Sequence, residues 1–187
     1  SFGINLDWSF EKDFYYYNKC KIHCYDHTIK YSSIKKFSRK SFLKIFNKKY
    51  WTINGLKEIF FNIKLYKDYK KFFSEEVLHF QSAIGIGSNL IDFNTVFNRV
   101  NSNKIFLKID IEGSEYRILE DLIKYQNNIS GLVIEFHNID LHIERILEFI
   151  RIQNHLLPST IQAKIQFRKL AKLADIDMNE EEATKIS

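Results

Sequence analysis

The stretch Leu107-Lys108-Ile109-Asp110-Ile111-Glu112-Gly113-Ser114-Glu115 constrains the fold more than any other part of the chain. An apolar run carries two carboxylates at its end, and Gly113 then breaks it toward a helix. Further on, Gly131-Leu132-Val133-Ile134 repeats the pattern and delivers Glu135 and His137. In an open α/β sheet the carboxyl ends of neighbouring strands line one crevice, so these polar groups are expected to converge there. Period-two alternation puts Asp110 and Glu112 on one side of their strand, and Glu135 and His137 on one side of theirs. Such groups can serve as a general base, as ligands for a divalent metal, or as contacts to a cofactor's amine. The plainer reading is that Glu112 and Glu115 complement the positive N-terminus of the helix after Gly113.

The rest of the chain follows the same alternation. Phe10, Phe14 and Tyr17 recur at helical spacing, and Lys21 to Asp26 reads as a strand ending in an acid. Residues 34–73 carry apolar faces (Phe42, Ile45, Phe46; then Leu56, Ile59, Phe60, Ile63), predicting two or three amphipathic helices broken near Asn54-Gly55. A third strand is expected over Val77 to Ile84, closed by a Gly85-Ile86-Gly87 turn. A helix with Phe93, Val96, Phe97 and Val100 follows, capped by Asp92 or Ser88. Strands over 105–111 and 131–136, each followed by a helix, complete the pattern. It predicts an α/β fold, doubly wound, with a mostly parallel sheet.

At 187 residues the chain suits one well-buried domain. The expected division is a core over 1–153, with a helical insertion at about 30–73, and an unrelated helical tail over 154–187. The acidic end of that tail has Glu180 where a calcium loop needs glycine, so it is not one. Because the chain opens on Ser1, it is expected to be a fragment. No apolar run is long enough to span a bilayer, and no signal-peptide core is present. Cys20 and Cys24 are too few for a disulfide framework, so the expected location is a reducing cytoplasm. Oligomeric state leaves no mark in the sequence.

Charge is uneven. Between Lys30 and Lys71 thirteen Lys or Arg face only Glu58 and Asp68, so that stretch carries about +11 of a chain whose total is +5. A basic block interleaved with aromatics can grip phosphate backbones and stack on bases, which makes nucleic acid one reading. The block is read first as a solvated helical insertion, with an anionic substrate or membrane surface as a further alternative.

Gly3, in the first strand-helix turn, and Asp26, ending the second strand, are spaced to hold a nucleoside, the acid accepting from the ribose hydroxyls. Cys20, His23, Cys24 and His27 lie close in sequence. In a strand, however, His23 and Cys24 point to opposite faces, so zinc is not expected there.

Four blocks together resemble the FkbM-type methyltransferases: Ser1-Phe-Gly-Ile-Asn-Leu-Asp-Trp-Ser-Phe-Glu11, Cys24-Tyr-Asp-His-Thr28, Leu107-Lys-Ile-Asp-Ile-Glu-Gly-Ser-Glu-Tyr116 and Val133-Ile-Glu-Phe-His137. The resemblance covers roughly Ser1 to Arg151, with Ile29 to Lys71 matching loosely. It implies the class I, Rossmann-like fold, S-adenosylmethionine as cofactor, and O-methylation of a sugar, another glycan or a small hydroxylated metabolite or lipid. Gly3 and the turn through Asp7 would then face the methionine part, Asp26 would hold the ribose, and the backbone at Ser82-Ala83 would border the adenine. Asp110, Glu112, Glu135 and His137 would border the methyl-transfer region. Asn5 stands where the family usually has a second glycine, and the family's final strands are absent after Arg151.

His137 is the expected general base, since an imidazole titrates nearest neutral pH, with Asp110 or Glu135 orienting it or sharing the role. A less favoured variant has Asp110, Glu112 and Glu135 holding Mg²⁺. The rival readings are a nicotinamide-dependent oxidoreductase, a nucleic-acid-binding module and an inactive methyltransferase remnant.

Overall fold

A computed structural model of the protein describes residues 1–85 and 90–156. Ile86 and Gly87 of the expected glycine turn, the alternative cap Ser88 and nearly all of the expected tail lie outside the described residues. The protein is mixed α/β with small parallel sheets. It divides into two compact units, here called the hairpin unit (Ile4–Ser82) and the strand-end unit (Ser1–Gly3 with the chain from Ala83 onward).

The hairpin unit runs α1 (Ser9–Asn18), β1 (Ile22–Tyr25), α2 (Tyr31–Lys44), a single 3-10 turn (Lys48–Tyr50), α3 (Ile53–Phe72) and β2 (Val77–Phe80). β1 and β2 pair in parallel from Ile22↔Val77 to Tyr25↔Phe80, so the two long helices form the crossover between them. Its core gathers Trp8, Ile22, Cys24, Ile34, Tyr69 and Val77. Edge-on rings of Tyr69 and Phe73 pack against Trp8.

The two long helices depart from their predicted polarity. The buried stripe of α2 is Ile34, Ser38 and Ser41, not Phe42 and Phe46. Serines let the helices approach closely, and Asn62 Nδ2 donates to Ser41 Oγ at 3.0 Å across the contact. With Lys44 bonded to Glu58 at 2.8 Å, that pairing makes the helices antiparallel. Ile59 is buried as expected, but Phe42, Phe46 and Phe60 are exposed. The helix break is also earlier than predicted. Thr52 Oγ1 accepts from Gly55 N at 3.1 Å and caps α3, so Asn54 and Gly55 lie in its first turn. Gly55 is required there by crowding, since a Cβ would sit 2.4 Å from the Tyr50 carbonyl.

The strand-end unit contains β3 (Ala83–Ile84), β4 (Leu90–Ile91), α4 (Phe93–Val100), β5 (Ile105–Ile109), α5 (Leu119–Lys124), β6 (Ile129–Ile134) and α6 (Ile139–Leu156). The strand predicted over 77–84 is two strands. Ser82 N turns back to bond Phe80 O at 2.8 Å, which takes it out of the ladder, and β3 pairs instead with β4. Asp92 is the cap of α4, accepting from Thr95 N at 2.7 Å. α6 runs past the expected boundary at residue 153 and loses helical geometry at His142.

β5 ends at Ile109, two residues earlier than predicted. On one side it pairs in parallel with β6, and on the other Phe2 forms a parallel bridge to Ile109. Three parallel segments therefore lie side by side, and their carboxyl ends bring Gly3, Asp110 and Glu135 to one edge. Gly3 has to be glycine: its φ is +72°, and a Cβ would come within 1.6 Å of the Asp110 carbonyl oxygen.

Candidate functional site

The carboxyl end of β5 builds the site. After Asp110 the chain turns sharply, with Glu112 at φ +52° and Gly113 at φ +94°. Left-handed geometry is uncommon for a residue with a side chain. Because Asp110 and Glu112 lie beyond the strand, their common orientation comes from this turn and not from the pleat. Both carboxylates approach His137 Nε2, Asp110 Oδ1 at 3.8 Å and Glu112 Oε2 at 3.6 Å.

Glu115 holds the arrangement from behind. Its side chain has no exposure. Oε1 accepts from Ile111 N at 3.1 Å and Gly113 N at 3.2 Å, bracing the turn, and it lies 3.0 Å from His137 Nδ1. A carboxylate only accepts, so in the neutral imidazole the proton sits on Nδ1 and the Nε2 lone pair is open. Tyr116 fixes the other end of the residue, its hydroxyl donating to the His137 carbonyl. Burial alone would lower the His137 pKa. The hydrogen bond that His137 donates to Glu115 and the charges of Glu115, Glu112 and Asp110 outweigh it and raise the value above the usual 6.5. Lys108 donates to Gly3 O at 3.0 Å and stands 3.9 Å from Asp110, tying the glycine turn to the acid.

Among the described residues, Asp110, Glu112 and His137 form the one group of three or more metal-capable side chains, with all ligand atoms within 4.8 Å of one another. Glu135 is not part of it. Its backbone N–H bonds Ile109 O at 2.9 Å and its side chain is exposed, so the Mg²⁺ ligand set expected from sequence is replaced by one containing a nitrogen. Cys20, His23, Cys24 and His27 form no such group.

In the hairpin unit, Asp26 is buried and crowded with donors. Oδ2 accepts from Ile4 N (3.0 Å) and Asn5 N (2.8 Å). Oδ1 accepts from Thr28 N (2.7 Å) and Thr28 Oγ1 (2.6 Å), with Ile29 N at 3.4 Å. Burial would raise its pKa, yet these bonds hold it below the usual 3.8. A carboxylate offers about four lone-pair positions, so a ribose hydroxyl reaching Asp26 would have to displace one of these donors. Asn5 adopts φ +46° where the resemblance expects glycine, and asparagine is among the side chains best suited to it. Asp7 is exposed and its Oδ1 accepts from Ser9 N at 3.0 Å. Ala83, half-buried, opens β3 in the other unit.

Glu115 is the residue that sequence reasoning undervalued. Its place in the sequence marks it as a helix-end charge, and it does bond backbone N–H groups, but at the turn ahead of it. A carboxylate two residues past the glycine of a strand-end turn is the available signal. The further contact, to His137, spans 22 residues and has no local mark.

No curated protein and no solved structure matches the chain. Residues 63–157, just over half of the sequence, match the methyltransferase FkbM domain, and this segment contains Asp110, Glu112, Glu115 and His137. The protein therefore belongs to the FkbM methyltransferase domain family.

Proposed function

We propose that the protein is an S-adenosylmethionine-dependent O-methyltransferase with a doubly wound, Rossmann-like core over residues 1–153. His137 is its general base and Glu115 its positioning residue. The observation that carries this reading is the bond from His137 Nδ1 to the fully buried Glu115, which leaves Nε2 open beside Asp110 and Glu112.

S-adenosylmethionine, when bound, supplies an electrophilic methyl group on a sulfonium. The donor set fits such a group: its sulfonium and ammonium are cations, and Asp110 and Glu112 present carboxylates only partly offset by Lys108. In the strand-end unit, Gly3 and Ala83 are assigned to this cofactor. In the hairpin unit, Asp26 can take a ribose hydroxyl only at the cost of one of its present donors, and Asp7 lies in the turn ahead of α1. Glu135 is assigned to the acceptor side, where its exposed carboxylate can take a hydrogen bond from a hydroxyl.

The chain's own steps are brief. Nε2 takes the proton from the acceptor hydroxyl as the oxygen attacks. Glu115 keeps the ring oriented and steadies the imidazolium through Nδ1. Asp110 and Glu112 stabilise the same positive charge through space. A positioned base contributes typically 10²–10⁴-fold, and alignment of the reactants can supply more. The acceptor is a hydroxyl on a sugar or small metabolite. Metal-free transfer is preferred over Mg²⁺ assistance, because Mg²⁺ favours oxygen donors and the group here includes an imidazole. The family membership likewise favours methyl transfer over hydride transfer to a nicotinamide.

The test is calorimetric titration with S-adenosylhomocysteine, followed by methyl transfer to a panel of hydroxylated acceptors with and without a strong chelator. Binding, chelator-resistant turnover and loss of turnover in His137→Ala are the expected results. Absence of cofactor binding would sink the assignment, and binding without turnover on any acceptor would favour an inactive remnant.

A further inference from the structure

The turn end of the α2–α3 hairpin has no part in the proposed chemistry, and its surface is unusual for a protein in water. Phe42, Leu43, Phe46, Trp51, Ile53 and Phe60 are all more than half exposed, Phe46 and Ile53 by about three-quarters (76% and 77%). They cluster in sequence at the end of α2, the connecting turn and the start of α3. Soluble proteins rarely leave so many large apolar side chains together in solvent. Meanwhile serines occupy the buried stripe of α2. The apolar residues are thus turned outward by the packing itself.

This end is also built to hold its shape. Trp51 Nε1 donates to Ile45 O at 2.9 Å, Asn47 Oδ1 accepts from Lys49 N at 3.0 Å, and Thr52 caps α3. Around it lie Lys40, Lys48, Lys49 and Lys57, all exposed. Along α3 an open groove is lined by Phe60 and Ile63 with Lys64, Lys67 and Lys71, and by Asp68, whose carboxylate is paired with Lys12.

We propose that this hairpin end is a peripheral membrane-docking element that seats on an anionic phospholipid bilayer. Aromatic and aliphatic side chains would enter the headgroup–acyl boundary while the lysines meet lipid phosphates and carboxylates. Charge complementarity selects this occupant. A protein partner is disfavoured because interface cores are depleted in lysine. Nucleic acid would use the lysines and the aromatic rings, but Leu43 and Ile53 have no stacking surface to offer a base. No helix among the described residues is long and apolar enough to cross a membrane, so the element lies on the bilayer and does not span it.

The test is co-sedimentation of the full chain with phosphatidylcholine vesicles with and without phosphatidylserine. Binding should require the anionic lipid, weaken with salt, and shift the Trp51 emission to the blue. The double substitution Phe46→Ser/Trp51→Ser should lower partitioning at least tenfold, with the thermal midpoint falling by no more than about 4 °C for the one exposed Trp51 bond it removes. In the second variant, Lys48→Glu/Lys49→Glu, each reversal should cost more than the roughly fivefold expected for one lost cation. Three results would overturn the proposal: no binding to anionic vesicles, binding indifferent to both variants, or oligonucleotides competing the protein off the vesicles through the same residues. Self-association that vanishes with Phe46→Ser/Trp51→Ser while vesicle binding persists would assign the face to a second copy instead.

Discussion

The strand end around His137 and the turn end of the α2–α3 hairpin treat polarity in opposite ways. At the first, a carboxylate is fully buried, and at the second, six large apolar side chains stand in solvent. Neither matches the rule that charge goes out and apolar surface goes in. Glu115 stays inside because three donors converge on Oε1, offsetting part of the hydration it gave up, while Oε2 is buried without a hydrogen-bond partner. The hairpin phenylalanines stay outside because Ser38 and Ser41 already fill the contact with α3, leaving no space for a ring. Placement is decided by which partners the neighbouring element offers.

The largest effect expected from breaking the strand-end arrangement is on turnover. His137→Ala should slow methyl transfer by roughly 10²–10⁴-fold with little change in cofactor binding, since a base acts in the transition state. Measured kcat on an accepted hydroxyl checks it, and a change of less than a few-fold would remove His137 from the chemistry. Glu115→Ala ranks next. It leaves two backbone N–H groups and the imidazole, all part-buried, without their acceptor and opens a cavity where a fully buried side chain stood, so a loss of about 3 kcal/mol in stability is expected. At roughly 2–4 °C per kcal/mol for a chain of this size, the thermal midpoint should fall by about 6–12 °C. A melt unchanged within error would mean that water replaces Glu115 freely.

The strand end was largely legible in the sequence and the hairpin was not. Apolar runs ending in acids marked β5 and β6, because a strand's register ties side chains to an edge through backbone alone. Asp110, Glu112 and His137 lie past those strands, and the two carboxylates are aimed by the turn at Glu112 and Gly113, which alternation does not report. Asp92 was readable as a cap for the same local reason. The hairpin's spacing was read correctly as helical, yet its facing was not. Periodicity reports that Phe42 and Phe46 share a side, and only the partner helix determines whether that side is covered. Glu115 fell between: its backbone bonds are local, its imidazole bond is not. The broken strand at Ser82 depends on a single backward hydrogen bond that no residue type announces.

Two histidines sharpen the contrast through pH. In the hairpin unit, His79 Nε2 donates to the Asp26 carbonyl at 3.3 Å and Nδ1 accepts from Tyr69 at 2.7 Å. Burial lowers its pKa, only partly offset by that bond and by the Asp26 charge, and burial likewise pushes Tyr69 up to about 12. His137 is raised instead. His137 therefore contributes stability that is fully present below about 6.5, the unfolded value, and is lost as pH climbs through its higher folded value. For His79 the folded state favours the neutral ring, so stability declines as pH falls below about 6.5. Proton NMR titration should find the two midpoints on opposite sides of 6.5. Glu115→Gln should move the His137 midpoint down and leave His79 in place. A rise of His79 above 6.5 would mean that water reaches Asp26 and Tyr69.

The smallest expected effect tests the hairpin side of the contrast most directly. Removing an exposed phenylalanine takes away little buried area, so Phe46→Ser should shift stability by no more than about 0.5 kcal/mol. Truncating a phenylalanine packed in a core costs about 3–5 kcal/mol, which leaves a wide gap between the two outcomes. Ser41→Ala gives the matching measurement inside the helix contact, where it deletes the acceptor of the Asn62 bond and should cost about 1 kcal/mol. A buried serine would thus matter more than an exposed phenylalanine five residues away on the same hairpin. If chemical denaturation returns the reverse order, with Phe46→Ser costing several kcal/mol, then another surface covers the ring in solution. The opposition between the two ends would then give way to a single rule of apolar burial.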